Sequence, residues 1–305
     1  MNYSVFERAK AFMYRNARPL DMARFQYHFE GGSREAVLQA LSYYQNADGG
    51  FGHALEADCW NPHSTPLHGS TAGEIIRETG CADAGHPVIQ GLLKWYGSGS
   101  CFNGKTWDMV VESNNDYPHA PWWHSDSESS CHMDYNGTAQ IAGFLVRYGK
   151  PESEPYRLGM RIINEAVEAL RSSELADMHT CACYVHMLEY VIDAGVEEQI
   201  PCELLKKKLH EAVKRLITAD TSQWGGYVCR PSRFFNSRSS MFYQENKEPA
   251  EYECKHIAAT QLEDGSWEVP WRWADFPEAW PISKIRWKGQ MIIENLLYLK
   301  GFGMI

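Results

Sequence analysis

Apolar residues recur along most of the chain at the three- and four-residue spacing that places them on one face of a helix. Val37, Leu41 and Tyr44 form such a face, and Ser33 stands before it as the expected N-terminal cap. Pro87 is expected to open another helix. The same pattern predicts further helices at 5–13, 20–29, 141–148, 160–170, 184–191, 205–216, 252–260 and 285–299.

Thr71 and Glu74 have the spacing of a capping box, which predicts the start of a short helix at this point. No series of alternating strands competes with the helical pattern. The sequence therefore predicts an all-α protein of roughly ten to twelve helices.

Two long segments, at about 97–133 and 223–250, lack helical periodicity. They are longer than ordinary connections, and loops of this length are usually functional or disordered. Because both segments contain many aromatic residues, which disordered segments lack, we expect two ordered loops.

The chain has 305 residues, of which 44% are hydrophobic, and we expect a single domain over residues 1–305. A formal net charge of -10 argues against a nucleic-acid partner or an anionic membrane surface, because both repel an acidic protein. No apolar run is long enough for an integral membrane segment. The nine cysteines and the polar N-terminus predict a cytoplasmic protein with reduced thiols. The oligomeric state does not follow from the sequence.

One short motif recurs along the chain. The copies are "QNADGGFG" at 45–52, "QLEDGSW" at 261–267 and, more loosely, "SQWGGY" at 222–227 and "NGKTW" at 103–107. In the first copy Gln45 is expected to close a helix, Asp48 to bind amides of the turn, and Phe51 to pack back as an anchor. Repeats of this kind indicate stacked helical hairpins.

These motifs resemble the repeats of terpene cyclases and protein prenyltransferase β subunits, which carry Gln-x-x-Asp-Gly-x-Phe/Trp turns between the helices of an α/α toroid. The resemblance covers some tens of residues around the two better copies. It implies an α/α toroid, also called an α6/α6 barrel, with the two long loops over one end of the helical array.

The catalytic residues of those families are not carried over. The chain has no Asp-x-Asp-Asp string, no Asp-Asp-x-x-Asp magnesium motif and no Asp-x-Cys pair for zinc. Toroids also host glycosidases, lyases and binding proteins, so the resemblance concerns the fold more than the reaction.

Three acidic residues are the catalytic candidates. Glu56 and Asp58 follow the first turn two residues apart, and in an extended segment this spacing puts both on one face, where sharing a proton raises one pKa. The alternative is that they bind backbone amides or an arginine and hold the loop in place. Asp134 is a third candidate, for which helix capping is the alternative.

The ligand-binding candidates are ring and guanidinium side chains that can stack on a ligand or bind its charged groups. They are His63, His68, Trp122, Trp123, Trp224, Tyr227, Arg230, Arg233, Trp271 and Trp273. The alternatives are core packing for the tryptophans, an exposed loop position for the histidines, and pairing with nearby acids for the arginines.

No cofactor is predicted. Cys183 and His186 lie on one face of a predicted helix and are competent zinc ligands, but a site would need partners from elsewhere. Packing is the interpretation that we prefer for both residues.

A small-molecule ligand is the expected partner. The leading hypothesis is an enzyme that acts on an isoprenoid-like or other largely apolar ligand by acid catalysis in an aromatic-lined cavity. The alternatives are a carbohydrate-active toroid, such as a glycosidase, epimerase or lyase, and a non-catalytic protein that binds a small ligand.

Overall fold

A computed structural model describes residues 3–126 and 135–305. Within these residues the chain forms eleven α-helices, three isolated β-bridges and no β-strand, which confirms the all-α prediction. The helices are α1 (Tyr3–Asn16), α2 (Pro19–Phe29), α3 (Arg34–Ser42), α4 (Pro66–Glu78), α5 (Pro87–Gly97), α6 (Thr138–Tyr148), α7 (Glu154–Ala169), α8 (Met178–Ala194), α9 (Cys202–Leu216), α10 (Lys247–Ala259) and α11 (Trp280–Gly301). None of the described helices is long and apolar enough to cross a membrane.

The chain divides into two compact units. Unit 1 comprises Met1–Ala40 and Val213–Ile305, and unit 2 comprises Leu41–Ala212. In unit 1, α11 packs against α1, α2 and α10; in unit 2, α6 packs against α7 and α8 and also contacts α4 and α5. The arrangement of the helices as a toroid stays a prediction.

The predicted start of α4 is wrong. The helix begins at Pro66, and Thr65 caps it by accepting a hydrogen bond from the backbone N–H of His68 at 3.2 Å. Thr71 lies inside the helix and donates its hydroxyl to the carbonyl of Leu67 at 3.1 Å. The capping-box spacing was misleading because a proline at the first helical position was the stronger start signal.

In unit 2 the first Gln-Asp-Gly turn joins α3 to the loop before α4 and binds the first turn of α5. The side-chain amide of Gln45 donates to the carbonyls of Gly49 at 2.9 Å and Val88 at 3.0 Å. Gly49 has a φ of 96°, and a Cβ there would lie 2.2 Å from the carbonyl oxygen of Gly91. Phe51 is fully buried. The turn therefore fixes the loop against α5.

In unit 1 the second turn makes the same contacts with α1. Gln261 donates to the carbonyls of Gly265 and Val5, both at 2.9 Å. Gly265 has a φ of 92°, and a Cβ there would lie 2.1 Å from the carbonyl oxygen of Arg8. Trp267 is 4% exposed. The two contacted positions are three residues apart on α1, as they are on α5, so the motif is a structural repeat.

The acid of each turn binds the turn itself. Asp48 accepts the backbone N–H of Gly50, and Asp264 accepts that of Ser266, both at 2.9 Å. This confirms the local role expected for Asp48.

The two looser copies differ from this geometry. The side chain of Gln223 donates to Asp220 at 2.9 Å, within its own loop. Asn103 closes a small hairpin by accepting the backbone N–H of Thr106 at 2.9 Å. Only the two copies with the full motif bind a neighbouring helix through the glutamine.

Candidate functional site

The loop at 53–65, which we call the joint loop, carries the two leading catalytic candidates. His53 and Ala54 begin the loop with φ values of 58° and 57°, a backbone conformation that residues other than glycine rarely adopt. Glu56 and Asp58 follow and are 8% and 1% exposed. One carboxylate oxygen of Glu56 accepts the backbone N–H of Asp58 at 2.8 Å. Glu56 therefore takes part in the loop's own structure, as the alternative interpretation expected.

The joint loop pairs with a second loop of unit 2, at 112–126, which we call the tryptophan loop. The backbone N–H of Ala120 donates to the carbonyl of Asp58, and that of Trp60 donates to the carbonyl of Pro118, both at 2.8 Å. Cys59 and His119 form an antiparallel bridge between these two bonds. The two loops are thus held together as a short ladder.

Two asparagines with no exposed surface complete this contact. Asn61 donates its side-chain amide to the side-chain oxygen of Asn114 at 2.9 Å, and the thiol of Cys59 donates to the same oxygen at 3.4 Å. Asn114 in turn donates to the carbonyl of Trp123 at 3.0 Å. Burial raises the pKa of Cys59 to about 12, and the nearby Glu56 and Asp58 act in the same direction. The thiol therefore stays protonated as a donor.

The tryptophan loop also holds a histidine pair that sequence reasoning missed. Nε2 of His119 lies 3.0 Å from Nδ1 of His124, and Nδ1 of His119 lies 2.6 Å from the carbonyl oxygen of Tyr117. His119 is 5% exposed, whereas His124 is exposed. The signal in the sequence was the string "HAPWWH", which places the two histidines on either side of a proline-initiated turn.

The two histidines that were predicted have different surroundings. His68 is fully buried, and its ring nitrogens contact the hydroxyl of Thr65 at 2.7 Å and the carbonyl of Cys59 at 3.0 Å. Its role in these contacts is to join α4 to the joint loop. His63 is exposed, and its Nε2 lies 3.1 Å from the hydroxyl of Tyr117.

The two tryptophans of this loop lie next to the histidine pair along the chain. Trp122 is 45% exposed, and Trp123 is half-buried. Both belong to a 3-10 turn, Pro121–Trp123, between His119 and His124. The structure thus brings together the candidates Glu56, Asp58, His63, Trp122 and Trp123 on two paired loops of unit 2.

The aromatic candidates of unit 1 differ in burial and in the rings that they contact. Trp224 and Trp273 are each 2% exposed and belong to the core. Tyr227 is 50% exposed and lies edge-on to Trp271, with the ring centroids 5.6 Å apart. Trp271 also contacts Trp287, at 5.0 Å.

One of the two arginine candidates of unit 1 pairs with a buried acid. Arg230 forms an ion pair with Glu253 at 3.5 Å, and Glu253 has no exposed surface. Burial raises the pKa of Glu253, while Arg230 opposes the shift. Arg233 is exposed. The pairing of Arg230 with an acid is the arrangement that the alternative interpretation expected.

A second polar group of side chains lies between α4, α6 and α8. Gln140 donates its side-chain amide to the hydroxyl of Ser70, and its side-chain oxygen lies 3.1 Å from Nδ1 of His186. A carboxylate oxygen of Glu74 lies 3.6 Å from the same nitrogen. The hydroxyl of Tyr96 is buried beside these groups. These side chains line a small cavity with a volume of about 10 Å³, which has room for about one water molecule. Such a cavity cannot hold an organic ligand.

The weaker metal candidates lie on α8, at the edge of this group. Cys183 accepts the backbone N–H of Gly137 at 3.1 Å, and His186 contacts Gln140. Across residues 3–126 and 135–305, no three histidine, cysteine, aspartate or glutamate side chains lie together as a metal site would need. The third acid candidate, Asp134, lies outside the described residues.

Comparison with known proteins gives no relative for this chain. No protein-family model matches it, and neither the curated proteins nor the solved structures contain a match. The function must therefore be argued from the paired loops themselves.

Proposed function

We propose that the protein is a toroid-type enzyme that acts on a small, polar, carbohydrate-like ligand by acid–base catalysis at the paired loops. One observation carries the proposal. The buried carboxylates of Glu56 and Asp58 lie on a loop that is hydrogen-bonded, residue to residue, to the loop that presents Trp122 and His124.

Asp58 is the preferred acid. Catalysis by a carboxylic acid benefits from a site that is shielded from bulk water, and Asp58 is 1% exposed. One carboxylate oxygen of Glu56 accepts the backbone N–H of Asp58. We therefore assign Glu56 a positioning role, in which it holds the backbone of Asp58 in place. Two consecutive residues with positive φ, His53 and Ala54, support a functional role because such strain concentrates at active sites.

The polarity of the loops favours a carbohydrate-like ligand over an apolar one. The side chains on the paired loops include the amides of Asn61 and Asn114, the imidazoles of His119 and His124 and the carboxylate of Glu56, and groups of these types can bind the hydroxyl groups of a sugar. The exposed ring of Trp122 offers a face on which a sugar can stack. The proposal therefore follows the carbohydrate-active alternative of the sequence analysis.

An isoprenoid-like ligand is the second candidate. The observation in its favour is the pair of Gln-Asp-Gly turns with the same contacts in both units, which strengthens the resemblance to terpene cyclases and prenyltransferase β subunits. Because a fold does not determine a reaction, we place this candidate second.

The test is a substrate screen with matched variants. The wild type and the variants Asp58→Asn, Glu56→Gln and Asp116→Asn are incubated with a panel of nitrophenyl glycosides and oligosaccharides, and with prenyl diphosphates and squalene. Asp116 is the control because it is an exposed acid of the tryptophan loop. Products are measured by mass spectrometry, and circular dichroism verifies folding.

We expect turnover of a glycoside by the wild type and by Asp116→Asn, and a loss of about 100-fold or more in Asp58→Asn. Glu56→Gln keeps an oxygen that accepts the backbone N–H, so its loss should be smaller. Full activity of Asp58→Asn would contradict the assigned acid. Turnover restricted to prenyl substrates would favour the second candidate.

A further inference from the structure

The small cavity between α4, α6 and α8 is also lined by Tyr96 of α5. Tyr96 is 1% exposed, and its hydroxyl has no hydrogen-bond partner among the described residues. Gly69, which lines the same cavity, shows where this hydroxyl lies, because a Cβ built on Gly69 would be 2.6 Å from it. The hydroxyl end of Tyr96 therefore lies at the wall of the cavity.

Arg77 of α4 brings a second buried donor to this wall. Its Nη1 donates to a carboxylate oxygen of Glu189, whereas its Nε is buried and has no partner within residues 3–126 and 135–305. A buried donor without an acceptor destabilises the folded state, and native proteins therefore supply an acceptor for the great majority of such donors. Two of these donors at one small cavity indicate that an acceptor lies between them.

The side chain of Gln140 supplies a hydrogen-bond acceptor from α6. Gln140 is 5% exposed and lines the same cavity. Its amide nitrogen donates to the hydroxyl of Ser70, and its oxygen lies 3.1 Å from Nδ1 of His186. An amide oxygen has two lone pairs, so it can accept a second hydrogen bond. The wall thus matches a molecule that both accepts and donates hydrogen bonds.

The size and the charges of the cavity determine which molecule fits. A volume of about 10 Å³ has room for about one water molecule. The lining carries charges of both signs, from the guanidinium of Arg77 and the carboxylate of Glu74. An anion would lie beside the carboxylate and a cation beside the guanidinium, and a buried charge without matched partners is costly. The cavity therefore favours a small, uncharged molecule.

From these observations we propose that the cavity is a binding site for one water molecule. The water accepts hydrogen bonds from the hydroxyl of Tyr96 and from Nε of Arg77, and it donates one to the side-chain oxygen of Gln140. Buried waters typically make about three hydrogen bonds of this kind. The water joins α4, α5 and α6 in the interior of unit 2, and the inference does not rest on the proposed function.

The first test locates the bound species directly. A high-resolution crystal structure of the full chain is determined from crystals soaked in sodium bromide, because bromide replaces chloride at anion sites and is identified by its anomalous scattering. We expect one density peak within about 3.2 Å of both Oη of Tyr96 and Nε of Arg77, without an anomalous signal. An anomalous peak at this position, or no density within about 3.5 Å of Oη of Tyr96, would overturn the inference.

The second test displaces the water in solution. A Cβ on Gly73 would lie 3.6 Å from Cδ2 of Phe144 and 3.8 Å from the hydroxyl of Tyr190, and all three residues line the cavity. The methyl group of Gly73→Ala therefore fits there and occupies the space of the water. Relaxation dispersion of ¹⁷O in water counts the molecules that stay bound for longer than the protein takes to tumble.

We expect Gly73→Ala to lose one such water relative to the wild type. Gly225→Ala is the matched control, because a Cβ there would meet nothing within 4 Å, and it should keep the wild-type count. Equal counts in the wild type and in Gly73→Ala would contradict the inference.

The third test compares two buried tyrosines. Tyr148 is 4% exposed, and its hydroxyl donates to the carbonyl of Cys81 at 2.9 Å, so Tyr148→Phe reports the loss of a bonded hydroxyl. We expect Tyr148→Phe and Tyr96→Phe each to raise the unfolding equilibrium constant about fivefold in urea denaturation. If no water binds Tyr96, removal of its unbonded hydroxyl would leave stability unchanged or increase it, and this result would overturn the inference. The crystal structure of the wild type decides the question even if a variant fails to fold.

Discussion

At the scale of single residues, two buried amides hold the paired loops together. Asn61 and Asn114 have no exposed surface and join the joint loop to the tryptophan loop through one hydrogen bond of 2.9 Å. Asn114 also accepts a hydrogen bond from the thiol of Cys59 and donates one to the carbonyl of Trp123. Removal of the Asn114 side chain would therefore remove a hydrogen bond from each of three groups: the amide of Asn61, the thiol of Cys59 and the carbonyl of Trp123.

Asparagines 114 and 115 are neighbours with different burial, which makes them a matched pair. We expect Asn114→Ala to lower the free energy of unfolding by about 2 kcal/mol, because buried polar groups lose their hydrogen bonds. Asn115→Ala removes exposed bonds to Ser125 and should cost only about 0.5 kcal/mol. Urea denaturation measures both values. Equal losses in the two variants would contradict the account of the loop contact.

The two carboxylates were predictable from the sequence, but the groups around them were not. Glu56 and Asp58 were identified because they follow a recognisable turn. His119, His124 and Asn114 were missed because they lie in a segment without periodicity, and their contacts join residues from separate loops. Such contacts depend on the path of two loops at once, which no local pattern encodes.

At the scale of elements, the Gln-Asp-Gly turn is the clearest case in which a short sequence determines a local structure. The prediction that the turn closes a helix and packs an aromatic anchor agrees with the buried Phe51. The contact of Gln45 with the carbonyl of Val88 could not be foreseen, because the partner is 43 residues away and contributes only backbone. The start of α4 was predicted wrongly for a local reason, since two start signals competed within seven residues.

Gly49 and Gly104 provide a test of the close approach between turn and helix. Both have a strongly positive φ, 96° and 98°, but a Cβ at Gly49 would meet the backbone of α5, whereas one at Gly104 would meet nothing within 4 Å. Gly104→Ala should cost about 1 to 3 kcal/mol from backbone strain alone. We expect Gly49→Ala to cost a further 1 to 3 kcal/mol or so from overpacking.

Thermal and urea unfolding of the two glycine variants give this difference. An equal loss of stability would mean that the turn is not held against α5 in solution.

At the scale of the whole molecule, the all-α class was predictable because apolar residues at helical spacing recur in nearly every segment. The division into two compact units was not predicted, since unit 1 combines residues from both ends of the chain. Each unit contains one full Gln-Asp-Gly turn. The turn binds α5 in unit 2 and α1 in unit 1. This repetition supports the proposed toroid, which remains a proposal.

The central claim is that the paired loops at 53–65 and 112–126 bind a polar, carbohydrate-like ligand. Hydrogen–deuterium exchange of the wild-type protein, with and without a pool of short oligosaccharides, tests it most directly. The account predicts slower exchange in both loops on addition of the sugars, and loss of that effect when Trp122 is replaced by alanine. Unchanged exchange in both loops, or protection confined to unit 1, would contradict it.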